Sequence, residues 1–331
     1  MFNLNFTICQ IHILNITEEK LFLQLVKGIK IGVLGIFGLI IGTGIAYGYP
    51  YYQQLQTQRD FSKTYDHRSA DTVGGLTANQ KQSLAQLDYH PAQYPIIQVN
   101  NGHSTLNPKS WETNHVDYQQ LDNFQRTSFS NTAFLQQRNH ANTNLRTQQT
   151  VSPAGWQPNR DGMLIYNRGH LIAYSLTGGL NKLTGRYQAS AVGDQDNPRN
   201  LFTETDFTNQ MLQTIYETEV RHSIEHGKHV IYQATLIFRG NENVARGINL
   251  QAISTDGTLN FNVYLFNVEP GIDINYQNGA ITLNNQQRIP VPVAATQDGI
   301  NQSNESDGPI KSVGYYSRPV ATKPRQYYRA F

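Results

Sequence analysis

Apolar positions are distributed very unevenly along the chain. Between Ile31 and Tyr49 the sequence IGVLGIFGLIIGTGIAYGY runs nineteen residues without a charge or a polar face. At 1.5 Å per residue a helix of that length spans roughly 28 Å, about the hydrocarbon thickness of a bilayer. The pattern therefore predicts one transmembrane helix, placed at 31–50, behind a short cytoplasmic segment at 1–30. Lys27 and Lys30 precede it, which favours an N-inside, C-outside orientation. A cleaved signal peptide is the rival reading, but its apolar stretch would lie unusually far in, with no clear small-x-small cleavage site.

Residues 51–85 are rich in Gln, Thr and Ser and hold no sustained period, so they read as a polar linker. The globular pattern begins near 86 and extends to 295. Ile96–Val99 forms a short apolar strand, and 108–150 scatters Trp111, Tyr118, Leu121, Phe124, Phe129, Phe134 and Leu135 among polar residues, which predicts irregular structure. A strand begins at Met163–Tyr166, and Leu171–Tyr174 continues its apolar character past a polar insert. A helix is predicted over Thr205–Glu225, with Phe207, Met211 and Ile215 at helical spacing and Gly227 as its stop. Strands follow at Val230–Phe238, Asn249–Ser254 and Leu259–Asn267, with Asp256-Gly257 as a turn. Asn278-Gly279 then closes a hairpin between Ile272–Tyr276 and Ala280–Leu283. Strands, helix, strands is the order of an α+β domain. Residues 296–331 read as a flexible basic, tyrosine-rich tail, in which Arg318, Lys323, Arg325 and Arg329 alternate with tyrosines.

Charge and composition narrow the chemistry. The 26 basic and 24 acidic side chains leave a net charge of +2, which excludes a whole-chain basic field. The single cysteine, Cys9, excludes an internal disulfide framework and any Cys-based zinc cluster. No Gly-rich phosphate cradle, Ser–His–Asp order or cysteine nucleophile stands out. His222-x-x-x-His226-x-x-His229 has zinc-like spacing, but Gly227 ends the helix and takes His229 off the shared face.

The densest chemically capable cluster runs from Asn167 to Glu217. It opens with Asn167-Arg168-Gly169-His170, passes Asn197-Pro198-Arg199-Asn200, and reaches Glu204, Asn209 and Glu217. A histidine beside an arginine can serve as a general base next to a bound anion. Asparagine oxygens are hard neutral ligands suited to a water-rich Mg²⁺. Asn209 and Glu217, eight residues apart, differ by about 80° around a helix axis and can border one cleft. A base, an arginine and a hard cation together suit phosphodiester hydrolysis.

Tyr166-Asn167-Arg168-Gly169-His170-Leu171-Ile172-Ala173-Tyr174-Ser175-Leu176, Asn197-Pro198-Arg199-Asn200-Leu201 and Thr208-Asn209-Gln210 resemble, in order and spacing, the DNA/RNA non-specific endonuclease family. The likeness covers roughly 86–285 and is similar in layout to the membrane-anchored nucleases of streptococci and lactobacilli. It implies a ββα-metal nuclease core with flanking antiparallel sheet, and hydrolysis of DNA and RNA phosphodiesters with little base preference. His170 then matches the general base and Asn209 the protein ligand of a mostly hydrated Mg²⁺, with Mn²⁺ as a substitute. Asn200 matches a residue that holds or supports the metal–water cluster. Arg168 matches a phosphate contact, and Glu217 a carboxylate that bonds metal-bound water. Arg199 and Arg221 are further candidates to grip phosphates, and Asn167 and Glu204 are placed with them at the substrate.

Two positions depart from the family pattern. Asn167 replaces the usual Asp, and Glu204 replaces the usual Gln and adds a carboxylate near the expected metal. The sequence therefore predicts a single-pass, outward-facing nuclease on the cell membrane, meeting nucleic acid through phosphates and the membrane through its N-terminal helix. It leaves both monomer and homodimer open. Two alternatives remain at this stage: a DNA receptor whose site is silenced by the two departures, and a surface protein that binds a wall polymer through the tail.

Overall fold

The computed structural model describes residues 73–159, 163–292 and the backbone of the strand at 312–316, all within one compact unit, Tyr65–Phe331. The 1–30 segment, the span expected at 31–50 and most of the tail lie outside the described residues. Among the described residues, no helix is long and apolar enough to cross a membrane.

Helix α1, Ala78–Ala85, starts on a capping box. The Gln80 backbone N–H donates to Thr77 Oγ1 at 3.2 Å, and the Thr77 N–H donates to Gln80 Oε1 at 2.9 Å. Leu84 and Ala85 are buried in the main core. The last part of the segment expected to be linker is thus a capped helix with packed residues, and its single large buried side chain explains why no period is visible there.

Six strands form the central sheet: β1 Ile96–Gln98, β2 His115–Asp117, β3 Asn131–Leu135, β6 Val230–Ile237, β7 Gly247–Ser254 and β8 Asn260–Phe266. Their order is β1-β8-β7-β6-β3-β2, antiparallel throughout. β6 and β7 are buried at every position. Some of their interior polar residues bond across the sheet, as where Asn249 Nδ2 donates to Asn262 Oδ1 at 2.7 Å. The predicted strands at 230, 249 and 259 therefore appear at nearly their expected limits. β2 and β3 do not match expectation, because they fall inside the stretch read as irregular. β3 is buried on both faces, so Asn131 and Thr132 run into Ala133–Leu135 without an alternation to mark them.

A second antiparallel pair stands apart from this sheet. β4, Tyr166–His170, pairs with β5, Leu201–Thr205, bringing Asn167 opposite Glu204, Gly169 opposite Phe202 and His170 opposite Leu201. Helix follows at once and occupies 206–225, close to the predicted Thr205–Glu225. It contains a π-helical turn at Thr208–Gln213 and then α2, Thr214–Glu225. Phe207, Leu212, Ile215, Tyr216, Val220 and Ile224 press it into the core. The expected hairpin is β9, Ile272–Asn275, with β10, Ala280–Leu283. In the tail, Ser312–Tyr316 forms β12 and pairs with β11, Ile289–Pro292, so this portion is ordered by ladder hydrogen bonds instead of being free chain. Helix and antiparallel sheet together make an α+β fold.

Candidate active site

The motif residues converge where β4, β5 and the helix meet. His170 ends β4 half-buried, with Nε2 3.2 Å from the carbonyl of Gln195. A carbonyl only accepts, so in the neutral ring this contact places the hydrogen on Nε2 and leaves the other nitrogen as acceptor. Burial pushes the imidazole down to about 4, helped by Arg146 and opposed by the carbonyls of Gln195 and Asp194 and by Asp196. The ring is therefore neutral at pH 7, the state a general base requires.

Gln213 joins the base strand to the helix. Its buried amide Nε2 donates to the His170 carbonyl at 2.6 Å and to Glu217 Oε1 at 2.7 Å. Burial raises the Glu217 carboxyl, against the pull of the Gln213 bond and of Arg221 and Arg146. Asn209 lies on the π-helical turn, half-buried. Its backbone carbonyl accepts from Thr214 Oγ1 at 3.0 Å, while its side-chain amide makes no hydrogen bond among the described residues. Asn209, Gln213 and Glu217 follow one another at four-residue intervals. The π turn winds fewer degrees per residue than an α-helix, which reduces the divergence of Asn209 from Glu217.

Three of the expected site residues are buried. Asn200 was expected at the metal, yet it is fully buried and clamps the chain beyond the base. Its Oδ1 accepts from the Ile172 N–H at 2.9 Å, and its Nδ2 donates to the Ile172 carbonyl at 2.9 Å and to Asp194 Oδ2 at 3.1 Å. Arg199 was expected on the substrate, yet it is 6% exposed and donates through Nη2 to the carbonyls of Lys182 and Leu183. Both side chains are held in place because the buried Asp194 and the neighbouring loop carbonyls need donors. Glu204, also expected at substrate, is fully buried.

The remaining candidates stay near the site. Arg168 donates from Nε to the Val151 carbonyl and stacks its guanidinium over Trp156 at 4.3 Å, while its Nη groups make no hydrogen bond among the described residues. Asn167 donates to Asp206 Oδ1 at 2.9 Å, so a carboxylate adjoins the position where the family has its Asp. Arg221 bonds Ser175 Oγ at 3.0 Å and Thr218 Oγ1 at 2.7 Å beside Glu217. Sequence reasoning missed Arg146, an exposed residue over the Tyr174 ring at 4.9 Å whose charge reaches both His170 and Glu217. It missed Gln213 too, although its spacing of four from Asn209 and from Glu217 was a usable signal. His229 stacks on Trp111 at 3.9 Å, away from the His222–His226 pair. No group of three or more His, Cys, Asp or Glu among the described residues could hold a metal. A cavity of about 330 Å³ between Arg126, Val151, Phe202 and Phe238 contains none of these site residues.

A strand pair and a following helix that bring together a histidine, an asparagine amide and a carboxylate form an arrangement suited to phosphodiester hydrolysis. The family model for DNA/RNA non-specific endonuclease matches residues 105–256. Among solved structures, NucA from Streptococcus agalactiae with magnesium ion bound is 29% identical, with a TM-score of 0.50 over 63% of this chain and 98% of that one. The same protein with no metal bound is 30% identical, with a TM-score of 0.49 over 65% of this chain and 99% of that one. The chain belongs to the DNA/RNA non-specific endonuclease family and is a nuclease acting on nucleic acids.

Proposed function

We propose that this chain is a Mg²⁺-dependent endonuclease, cutting DNA and RNA without base preference, in which β4, β5 and the helix form a ββα-metal core. The observation that carries the reading is the joining of the His170 carbonyl and Glu217 by one amide, with the unbonded Asn209 amide a turn away on the same helix. The donor set fits the ion: one amide oxygen and a nearby carboxylate suit a hard cation that keeps most of its waters, and are too few for a closed protein cage. NucA from Streptococcus agalactiae, crystallised with magnesium ion, supports the choice of metal.

In this reading Asn209 would hold the hydrated cation with Glu217 beside it, and the ion would supply positive charge toward the phosphate and the leaving 3′ oxygen. His170 takes a proton from water attacking in line, the P–O3′ bond breaks, and the leaving 3′ oxygen takes a proton from solvent water, giving a 5′-phosphate and a 3′-hydroxyl. Arg168, through its unbonded Nη groups, and the exposed Arg146 supply positive charge around the phosphate. Contacts confined to phosphates explain tolerance of sequence. The departure at Asn167 leaves this machinery in place, since it bonds Asp206 and takes no part in the proton transfer. Digestion of plasmid DNA and of RNA with Mg²⁺, compared with EDTA, tests the reading. Intact nucleic acid after incubation of folded protein with Mg²⁺ or Mn²⁺ would overturn it.

The apolar run at 31–50 behind Lys27 and Lys30 supports an uncleaved anchor with the nuclease domain outside the cell. Protease added to intact cells should release that domain. Protection from protease would reverse the orientation, and a mature N-terminus near residue 47 would show cleavage.

A further inference from the structure

A cluster of buried polar side chains lies under β4. Glu204 projects into it from β5, opposite Asn167, and is 0% exposed. It packs so tightly over Gly169 that a Cβ at that glycine would sit 2.0 Å from Glu204 Oε2. Among the described residues, neither oxygen of this carboxyl has a hydrogen-bond partner. Two more polar atoms there also lack partners, Oε1 of Gln213 and the phenol oxygen of Tyr232 on β6, and both residues are at most 1% exposed.

The charges around Glu204 make the ionised form untenable. Glu217 faces it from the helix and Asp206 from the end of its own strand, both acidic. β6 contributes Tyr232, whose phenol feels both glutamates. β4 contributes neutral Asn167 in register, Gly169, and His170, whose imidazole is uncharged at pH 7. The guanidinium groups of Arg146 and Arg221 act on Glu217. A dry carboxylate packed beside two other acidic side chains is strongly disfavoured. A carboxylic acid avoids that penalty and adds an O–H donor, which acceptors such as Gln213 Oε1 require. Burial and the neighbouring acids accordingly raise the Glu204 carboxyl well above the usual carboxylate range.

We propose that Glu204 works as a neutral carboxylic acid, a positioning residue whose O–H completes the hydrogen bonding of the cluster and keeps Gln213 and Glu217 aligned on the His170 strand. This rests on the reading of His170, Asn209 and Glu217 as the nuclease centre. The replacement of the family's Gln by Glu then preserves a neutral donor and acceptor at that position, and adds no charge to the metal.

The test uses the purified full chain and its Glu204→Gln and Glu204→Ala variants. Infrared spectra at neutral pH should show the C=O stretch of a protonated carboxyl that disappears in Glu204→Gln. Thermal midpoints should also diverge with pH. Native protein retains a proton that the unfolded chain releases above the ordinary carboxylate range, so the wild type loses stability as pH rises, and Glu204→Gln lacks that loss. Glu204→Gln should retain turnover within about tenfold, while Glu204→Ala loses on the order of 10–100-fold, the usual scale for a supporting residue. If Glu204→Ala does not fold, the infrared and pH comparisons with Glu204→Gln decide alone. No infrared difference, parallel stability curves, or a tenfold higher Mg²⁺ requirement in Glu204→Gln would overturn the proposal. An inactive wild type that still shows the band and the divergence would overturn the nuclease mechanism and leave the neutral acid standing.

Discussion

The Gln213 amide donates to the carbonyl of His170 at 2.6 Å, so the residue proposed as base is fixed to the helix through its backbone. The same nitrogen donates to Glu217 at 2.7 Å, which uses both of its hydrogens. Gln213→Ala frees the base strand and Glu217 together. Turnover should fall by roughly 10–100-fold, as for other residues that orient a reacting group. Gln213→Glu should be worse, because an ionised carboxylate there faces a carbonyl and a second carboxylate. Steady-state kinetics of the two variants at saturating Mg²⁺ check this, and near-normal turnover in Gln213→Glu would exclude the bridging role.

His170 carries two linked expectations. His170→Ala should lower turnover by about 10²–10⁴-fold, the range for a lost general base, with little change in the Mg²⁺ concentration for half activity. Burial also holds the wild-type imidazole down to about 4, so the acid limb of the rate profile should lie below the ordinary imidazole range. The sign for stability follows. Between the unfolded value near 6.5 and the folded value near 4, the unfolded chain binds more protons, so stability rises with pH across that window. His170→Ala should flatten this rise in a series of thermal melts. A rate profile that bends at 6.5 would show an imidazole that titrates as if exposed.

Much of this was legible in the sequence, for reasons that particular residues make plain. Val230–Ile237 and Asn260–Phe266 announce themselves because buried apolar strands are bounded by turn residues such as Asp256-Gly257, where Gly257 adopts a φ of +76°. The helix was legible from Phe207, Ile215 and their partners. Its π turn was not, since that depends on how the helix start is bonded and leaves no mark on the spacing. The order of motifs located the neighbourhood of His170, Asn209 and Glu217. It could not separate Asn209, whose amide is unbonded, from Asn200, whose amide is wholly engaged. That difference arises from the loop around Asp194, which lies far from any regular pattern.

Asn200 and Asn209 should therefore respond differently to the same substitution. Asn200→Ala leaves the N–H and carbonyl of buried Ile172 without partners, each worth about 1–3 kcal/mol. It should lower the melting temperature and activity together while the Mg²⁺ midpoint stays put. Asn209→Ala should keep the melting temperature, because its side chain makes no hydrogen bond among the described residues, and should raise the Mg²⁺ concentration for half activity. Metal titrations and thermal melts on both variants check the assignment. A raised metal midpoint in Asn200→Ala, with normal melting, would restore that residue to the metal.

Gly169 is required by what lies beneath it. An added Cβ would sit 2.0 Å from Glu204 Oε2 and 2.6 Å from Glu204 Cβ, so Gly169→Ala forces β4 and β5 apart next to the base. Overpacking of this kind costs about 1–3 kcal/mol, and the shift falls on the strand whose carbonyl Gln213 holds. Gly169→Ala should thus melt lower and turn over more slowly than wild type. Shortening Glu204 in Gly169→Ala/Glu204→Ala removes the clash with its carboxyl and leaves only the 2.6 Å approach of the two Cβ atoms, so the double variant should lose less stability than the two single losses added together. Thermal melts of the four proteins close this cycle. Additive losses would mean that the two residues do not press on one another, and that the glycine before His170 is needed for some other reason.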